Sequence, residues 1–202
     1  MDVPLVAKLR RGLNATTHAV FGVAALAGAS LLAGTEPPTY AYPAAVAAAW
    51  LPDVDNSRST LGNGLSRLNS PALNLVTRPV SWTLKATSFT LVRTVGHRTL
   101  THSLLGVVLF ALPVWLVLGT YPNLSLALVA GYASHVFADA LNTRGVPLLW
   151  PVGRPVRFLP GGIRSGGAVE IAVALVALGF AGWEIYLLHP AVRGALGLFQ
   201  PL

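Results

Sequence analysis

Forty consecutive residues, Thr99 to Ala138, contain no Asp, Glu, Lys or Arg. A run that long without charge has no way to build a wetted surface, and it constrains the fold more than any other feature of the chain. It is interrupted only by turn-forming residues at Gly119-Thr120-Tyr121-Pro122-Asn123, and each half approaches the roughly 20 residues needed to cross a hydrocarbon core. Leu13 to Thr35 and Pro37 to Pro52 are likewise free of charge, and Ala168 to Leu188 carries only Glu170 and Glu184. Charged residues are 10% of the 202-residue chain, against roughly 25% in an average soluble protein, so a soluble globular enzyme is not expected. In hydrocarbon the backbone must satisfy its own hydrogen bonds, so these runs are predicted to be helices. The expected fold is all-α: one integral-membrane domain over 1–202, a polytopic bundle of about five helices near 16–34, 40–52, 99–118, 124–141 and 168–188. The second is short and is expected to be tilted or half-embedded.

The basic residues set the orientation. Thirteen of the fourteen Lys and Arg lie before the first apolar run, between the second and third, or between the fourth and fifth; only Arg193 lies on the other side. The positive-inside rule puts those three segments in the cytoplasm of a multi-pass inner-membrane protein. The net charge of +7 is thereby accounted for as topology, and nucleic acid is not an expected partner. Lys8, Arg10 and Arg11 ahead of an apolar stretch, with Ala27-Gly28-Ala29 beyond, also resemble a signal peptide. Cleavage there would discard His18, so a retained first helix is expected. The segment 70–95 mixes apolar residues with Arg78, Lys85 and Arg93 and is broken by Pro71 and Pro79. It is expected to lie along the cytoplasmic interface, or to cap the bundle from that side.

Ionisable groups are scarce, and most fall in short clusters: His18; Asp53 and Asp55; His97, Arg98 and His102; His135 and Asp139; Glu170. The topology brings the acids and histidines among them to the cytoplasmic ends of their helices, a result that the Lys and Arg positions alone did not force. His135 and Asp139 are four apart and share a helix face. Asp53 and Asp55 are two apart in a segment that Pro52 makes extended or turned. With no cysteine in the chain, imidazole and carboxylate ligands suit zinc by default, or manganese or iron, as one or two ions. Such a centre acidifies bound water to a pKa of about 7. Candidate ligands are His18, Asp53, Asp55, His97, His102, His135, Asp139 and Glu170. Candidate catalytic residues are Asp53 and Asp55, with Asp139 as a further possible base and Arg98 neutralising an oxyanion. Thr101 and Ser103 are expected to bond backbone at a helix start or to support a ligand. Arg154, Arg157 and Arg164, among glycines, are expected to form a flexible basic loop leading to Glu170, and His189 to be ordinary surface.

The segments Thr17-His18, Leu51-Pro52-Asp53-Val54-Asp55, the run from His97 to Ser103, the run from His135 to Asp139 and the continuation from Leu141 to Pro151 together resemble a known family. It is that of the membrane-bound, predicted metal-dependent hydrolases, whose bacterial members include a LexA-regulated inner-membrane protein. The resemblance covers roughly Thr16 to Glu170. It implies an α-helical membrane protein with a metal site built from those His and Asp residues, and it implies no particular substrate. The expected function is metal-dependent hydrolysis at the cytoplasmic interface, with membrane lipids as partners and a phospholipid or another lipid-linked phosphoester as substrate. The alternative is a non-enzymatic membrane protein whose cluster is a structural metal site or an ion pathway.

Overall fold

The computed structural model describes residues 5–55 and 99–196, with side chains over 15–53 and 99–195. The segment expected at the interface, 70–95, lies outside the described residues, as do His97 and Arg98. Among the described residues there are six α-helices and no β-strand: α1 (Leu5–Ala33), α2 (Ala41–Ala49), α3 (Leu104–Leu118), α4 (Pro122–Ala140), α5 (Ala168–Leu188) and α6 (Pro190–Leu196). Short 3₁₀ turns, Pro52–Asp55 and Leu100–His102, follow α2 and precede α3.

α1 packs against α2, α4 and α5, and α4 against α1, α2 and α3. Small residues make this closeness possible, as expected where helices gain little from hydrophobic segregation and rely on van der Waals fit. α2 is sandwiched by its alanines; Ala41, Ala45, Ala48 and Ala49 are all buried. Gly131 of α4 passes so near that a Cβ there would lie 2.2 Å from the Ala45 carbonyl oxygen, a distance no side chain tolerates. Leu26, Ala41, Ala45 and Ala127 form one core cluster, and Tyr132, Val136, Ala140 and Val146 a second at the other end of α4.

The outer faces of α3 and α5 carry exposed Leu109, Leu112, Leu116, Val117, Leu175, Val176, Leu178 and Trp183. Apolar exposure of that extent marks contact with lipid or with another apolar partner. Two helical segments, Ala15–Ala33 and Ala168–Leu188, are long and apolar enough to cross a membrane. α3, at 15 residues, is shorter than its expected span over 99–118, because Leu100–His102 is spent in the 3₁₀ turn. α2 is shorter still: nine residues rise about 13 Å, less than half a hydrocarbon core. Its role is internal, as a wedge that delivers the turn carrying Asp53.

The connector from α4 to α5, expected to be flexible, is tied down by backbone hydrogen bonds. Val146 and Val156 exchange a pair at 3.0 and 2.7 Å, Ile163 N donates to Leu141 O at 2.7 Å, and Phe158 N donates to Ala140 O at 2.9 Å. Its glycines serve tight turns; Gly162 has φ +63°, and a Cβ there would meet the Thr143 backbone. His189 is not ordinary surface either. Its ring bridges the Tyr42 hydroxyl and Glu36 Oε1, both at 2.7 Å, and clasps the start of α2 to the end of α5.

Candidate metal centre

Five residues from four parts of the chain meet at one end of the bundle. His135 and Asp139 project from the last turns of α4, both fully or almost fully buried. His18 comes from α1 and stacks on His135, ring centroids 3.9 Å apart and 17° from parallel. His102 comes from the 3₁₀ turn before α3, and Asp53 from the turn after α2.

Local structure fixes each of them. Ser103 caps α3, its hydroxyl accepting from Gly106 N at 3.0 Å and donating to Leu100 O at 2.8 Å. The Tyr132 hydroxyl donates to Thr101 O at 2.8 Å, so α4 also holds the turn carrying His102. Trp50 Nε1 donates to Ala15 O at 2.9 Å and pins the end of α2 to α1 beside His18. His135 Nδ1 lies 2.6 Å from the Ala49 carbonyl oxygen. A carbonyl only accepts, so that nitrogen carries the proton and Nε2 presents a lone pair. Asn142 Nδ2 donates to Asp139 Oδ1 at 2.8 Å and orients the carboxylate.

The inward atoms converge. His102 Nε2 stands 3.2 Å from His135 Nε2, 3.4 Å from Asp139 Oδ2 and 3.7 Å from Asp53 Oδ1. His135 Nε2 is 3.7 Å from Asp139 Oδ2 and 3.9 Å from Asp53 Oδ1. Four metal–ligand bonds of 2.0–2.1 Å in tetrahedral array put the ligand atoms about 3.3–3.4 Å apart, close to this spacing. Two carboxylates and an imidazole lone pair, brought together in a largely buried place, repel one another unless a proton or a cation lies among them. The donor set therefore fits a divalent cation of the borderline or harder class. His18 Nε2 lies 3.6 Å from Asp139 Oδ1. Two groups of three have metal-ligand geometry, Asp53, His102 and His135 and, beside it, His18, His135 and Asp139, with His135 common to both.

Asp53 is the partly open member, its side chain 26% exposed. Burial pushes its pKa up, but the close approach of His102 and the attraction of the His135 and His102 rings outweigh this and hold it at about 2. A small cavity of about 20 Å³ adjoins His18, Asn142 and Glu170, room for one water. Glu170 is placed at its edge and engaged elsewhere: one carboxylate oxygen accepts from Thr17 Oγ1 at 2.9 Å and the other from Gly166 N. It joins α1 to the start of α5 and belongs to neither group of ligand geometry. Asp55 closes the same turn as Asp53, and its side chain lies outside the described residues.

A family model described as YdjM inner membrane protein matches residues 13–199. The chain belongs to the YdjM inner membrane protein family. It is 35% identical over 153 residues to the inner membrane protein YdjM of Escherichia coli (strain K12), a match covering 73% of this chain and 66% of that protein. The same figures hold for YdjM of Shigella flexneri. The uncharacterized protein YvsG of Bacillus subtilis (strain 168) is 32% identical over 187 residues, 91% of this chain and 99% of that one. No solved structure matches. The family match, over residues 13–199, takes in every residue of the centre from His18 to Asp139.

Sequence patterning in this YdjM-family chain missed several supports. Asn142 and Tyr132 each stand three residues from a ligand-type residue, a helical spacing that could have found them. The Ala49 carbonyl carries no side-chain signal at all.

Proposed function

We propose that this protein is a metal-dependent hydrolase embedded in the inner membrane, with its centre at the cytoplasmic face and a lipid-linked phosphoester as substrate. One observation carries the reading: His102 Nε2 and His135 Nε2 stand 3.2 Å apart, and Asp53 Oδ1 and Asp139 Oδ2 each lie 3.4–3.9 Å from both, with His18 one step beyond. The centre shares its end of the bundle with the α4–α5 connector, which carries Arg144, Arg154, Arg157 and Arg164, and positive charge favours the cytoplasmic side. In this arrangement α1, α3, α4 and α5 cross the bilayer and α2 is half-embedded.

A divalent cation, zinc before manganese or iron, would be held by those four residues and would supply a Lewis acid and a means of activating water. The chain's own groups do the rest. The Ala49 carbonyl keeps His135 in the tautomer that offers Nε2, and Asn142 keeps Asp139 turned inward. Asp53, with its depressed pKa, is suited to hold positive charge rather than to take up a proton. The proton of the attacking water then falls to Asp55 or to the His18–Asp139 pair beside the water-sized cavity. Arg98, next to His97 in the chain, neutralises the phosphoryl oxygen.

The test is elemental analysis and phosphodiesterase assay of detergent-purified protein. One or two ions per chain and metal-dependent turnover are expected, both lost in His135→Ala and Asp53→Ala while the protein still inserts. A second reading, a structural metal site, is favoured by how little space surrounds the cluster. It is the answer if the metal is present, lost on mutation, and no phosphoester is turned over.

A further inference from the structure

Among the described residues, the wall of the bundle between α1, α4 and α5 is open. Ala24 and Ala25 on α1, Ala133 on α4 and Ala177 on α5 are too small to close it, leaving a groove of about 530 Å³. It runs from Phe21 to Gly28 along α1 and from Phe137 to Ala130 along α4, seven residue steps on each and so about 10 Å. Its one polar side chain, Ser134, turns its hydroxyl back onto the Gly131 carbonyl at 2.7 Å, so the lining is almost wholly hydrocarbon.

Three observations identify an occupant. The face of α5 around the groove carries exposed Leu175, Val176 and Leu178, so whatever enters comes from the bilayer interior. Phe21 lines both this groove and the water-sized cavity at His18 and Glu170, and its ring meets Phe137 at 6.3 Å, so the groove ends one side chain from His18 of the candidate centre. At that same end the α4–α5 connector exposes four arginines together with Leu149, Val152, Phe158 and Leu159, a cationic and apolar surface suited to a layer of anionic headgroups. A molecule matching all three has a negative head and a hydrocarbon tail.

We propose that the groove holds one acyl chain of a glycerophospholipid whose phosphate lies at the metal centre, so that substrate enters sideways from the membrane rather than from water. The reaction part rests on the hydrolase proposed above; the binding part does not. Phosphatidylglycerol carrying a photoactivatable diazirine in mid-chain is mixed as a trace into dioleoyl phosphatidylglycerol vesicles with the full-length protein. After irradiation, adducts are mapped by proteolysis and mass spectrometry.

Adducts on Phe21, Ala133 and Phe137 are expected to exceed those on Leu175 and Val176 by at least about tenfold, since annular lipid exchanges while a seated chain stays. Filling the groove with Ala24→Leu plus Ala177→Leu, or separately with Ala177→Phe, is expected to abolish the groove adducts with metal content unchanged. Adducts spread evenly over α5, or undiminished in both filled variants, overturn the proposal. So does groove labelling by a diazirine-bearing polyprenyl phosphate where the phosphatidylglycerol probe gives none. Groove labelling in a protein that hydrolyses no phosphoester removes the hydrolase reading and leaves the groove standing.

Discussion

Asn142→Ala removes one hydrogen bond from the candidate metal centre without removing a candidate ligand. Asn142 Nδ2 donates to Asp139 Oδ1 at 2.8 Å, and Asp139 Oδ2 faces His102 and His135 at 3.4 and 3.7 Å. A hydrogen bond to an ionised acceptor contributes about 1.5–3 kcal/mol. At 1.4 kcal/mol per factor of ten, losing it should weaken metal binding by roughly 10–150-fold. Loss of a partner that orients a metal ligand typically costs 10–100-fold, in agreement. The assay is competition for zinc between detergent-purified protein and a fluorescent chelator at fixed pH. The metal-free variant should also melt earlier, since Asp139, buried at 1% exposure, loses its amide partner. A zinc affinity within about threefold of wild type, or about 0.7 kcal/mol, in a folded variant would refute the claim that this amide sets the carboxylate's orientation.

Bound metal should leave on acidification, as the candidate imidazole and carboxylate ligands take up protons in competition with the ion. Asp53, held at about 2 against an ordinary 3.8, is not the trigger; its contribution to the metal-free fold is complete above about pH 4 and is lost only as the pH falls toward 2. Metal retained in full as the pH is lowered from 8 to 3, measured by elemental analysis after desalting, would refute ligation by these groups. Gly131→Leu should drive a side chain into the Ala45 carbonyl and destabilise the fold by about 1–3 kcal/mol or more, read as a lowered melting temperature. A cysteine placed by Arg154→Cys on the exposed connector should react with an impermeant maleimide only in inside-out vesicles; labelling in right-side-out vesicles would reverse the orientation. Glu170→Gln keeps the side chain's shape but weakens its hold on Thr17 and Gly166, so it should lower thermal stability while leaving metal content unchanged.

The sequence alone determined the helical class, the membrane setting and the residues from which the centre is built. Charge-free runs leave the backbone no solvent to bond with, and an ionisable side chain next to such a run is expensive enough to mark itself. His18, Asp53, His102, His135 and Asp139 were all legible on that ground, and His135 and Asp139 were also tied to one face by helical spacing. Tertiary structure decided which groups touch. Only packing could show that α2 is a nine-residue wedge, because its length depends on where Trp50 and Pro52 turn the chain against α1, and its alanines were compatible with a tilted or half-embedded helix over all of 40–52. Only packing could divert Glu170 to Thr17 and Gly166, draw His189 between Tyr42 and Glu36, and make the Ala49 carbonyl the group that sets a histidine's tautomer. A side chain's chemistry is carried by the residue itself, whereas its partner is fixed by distances across helices far apart in the chain, and no local pattern encodes those.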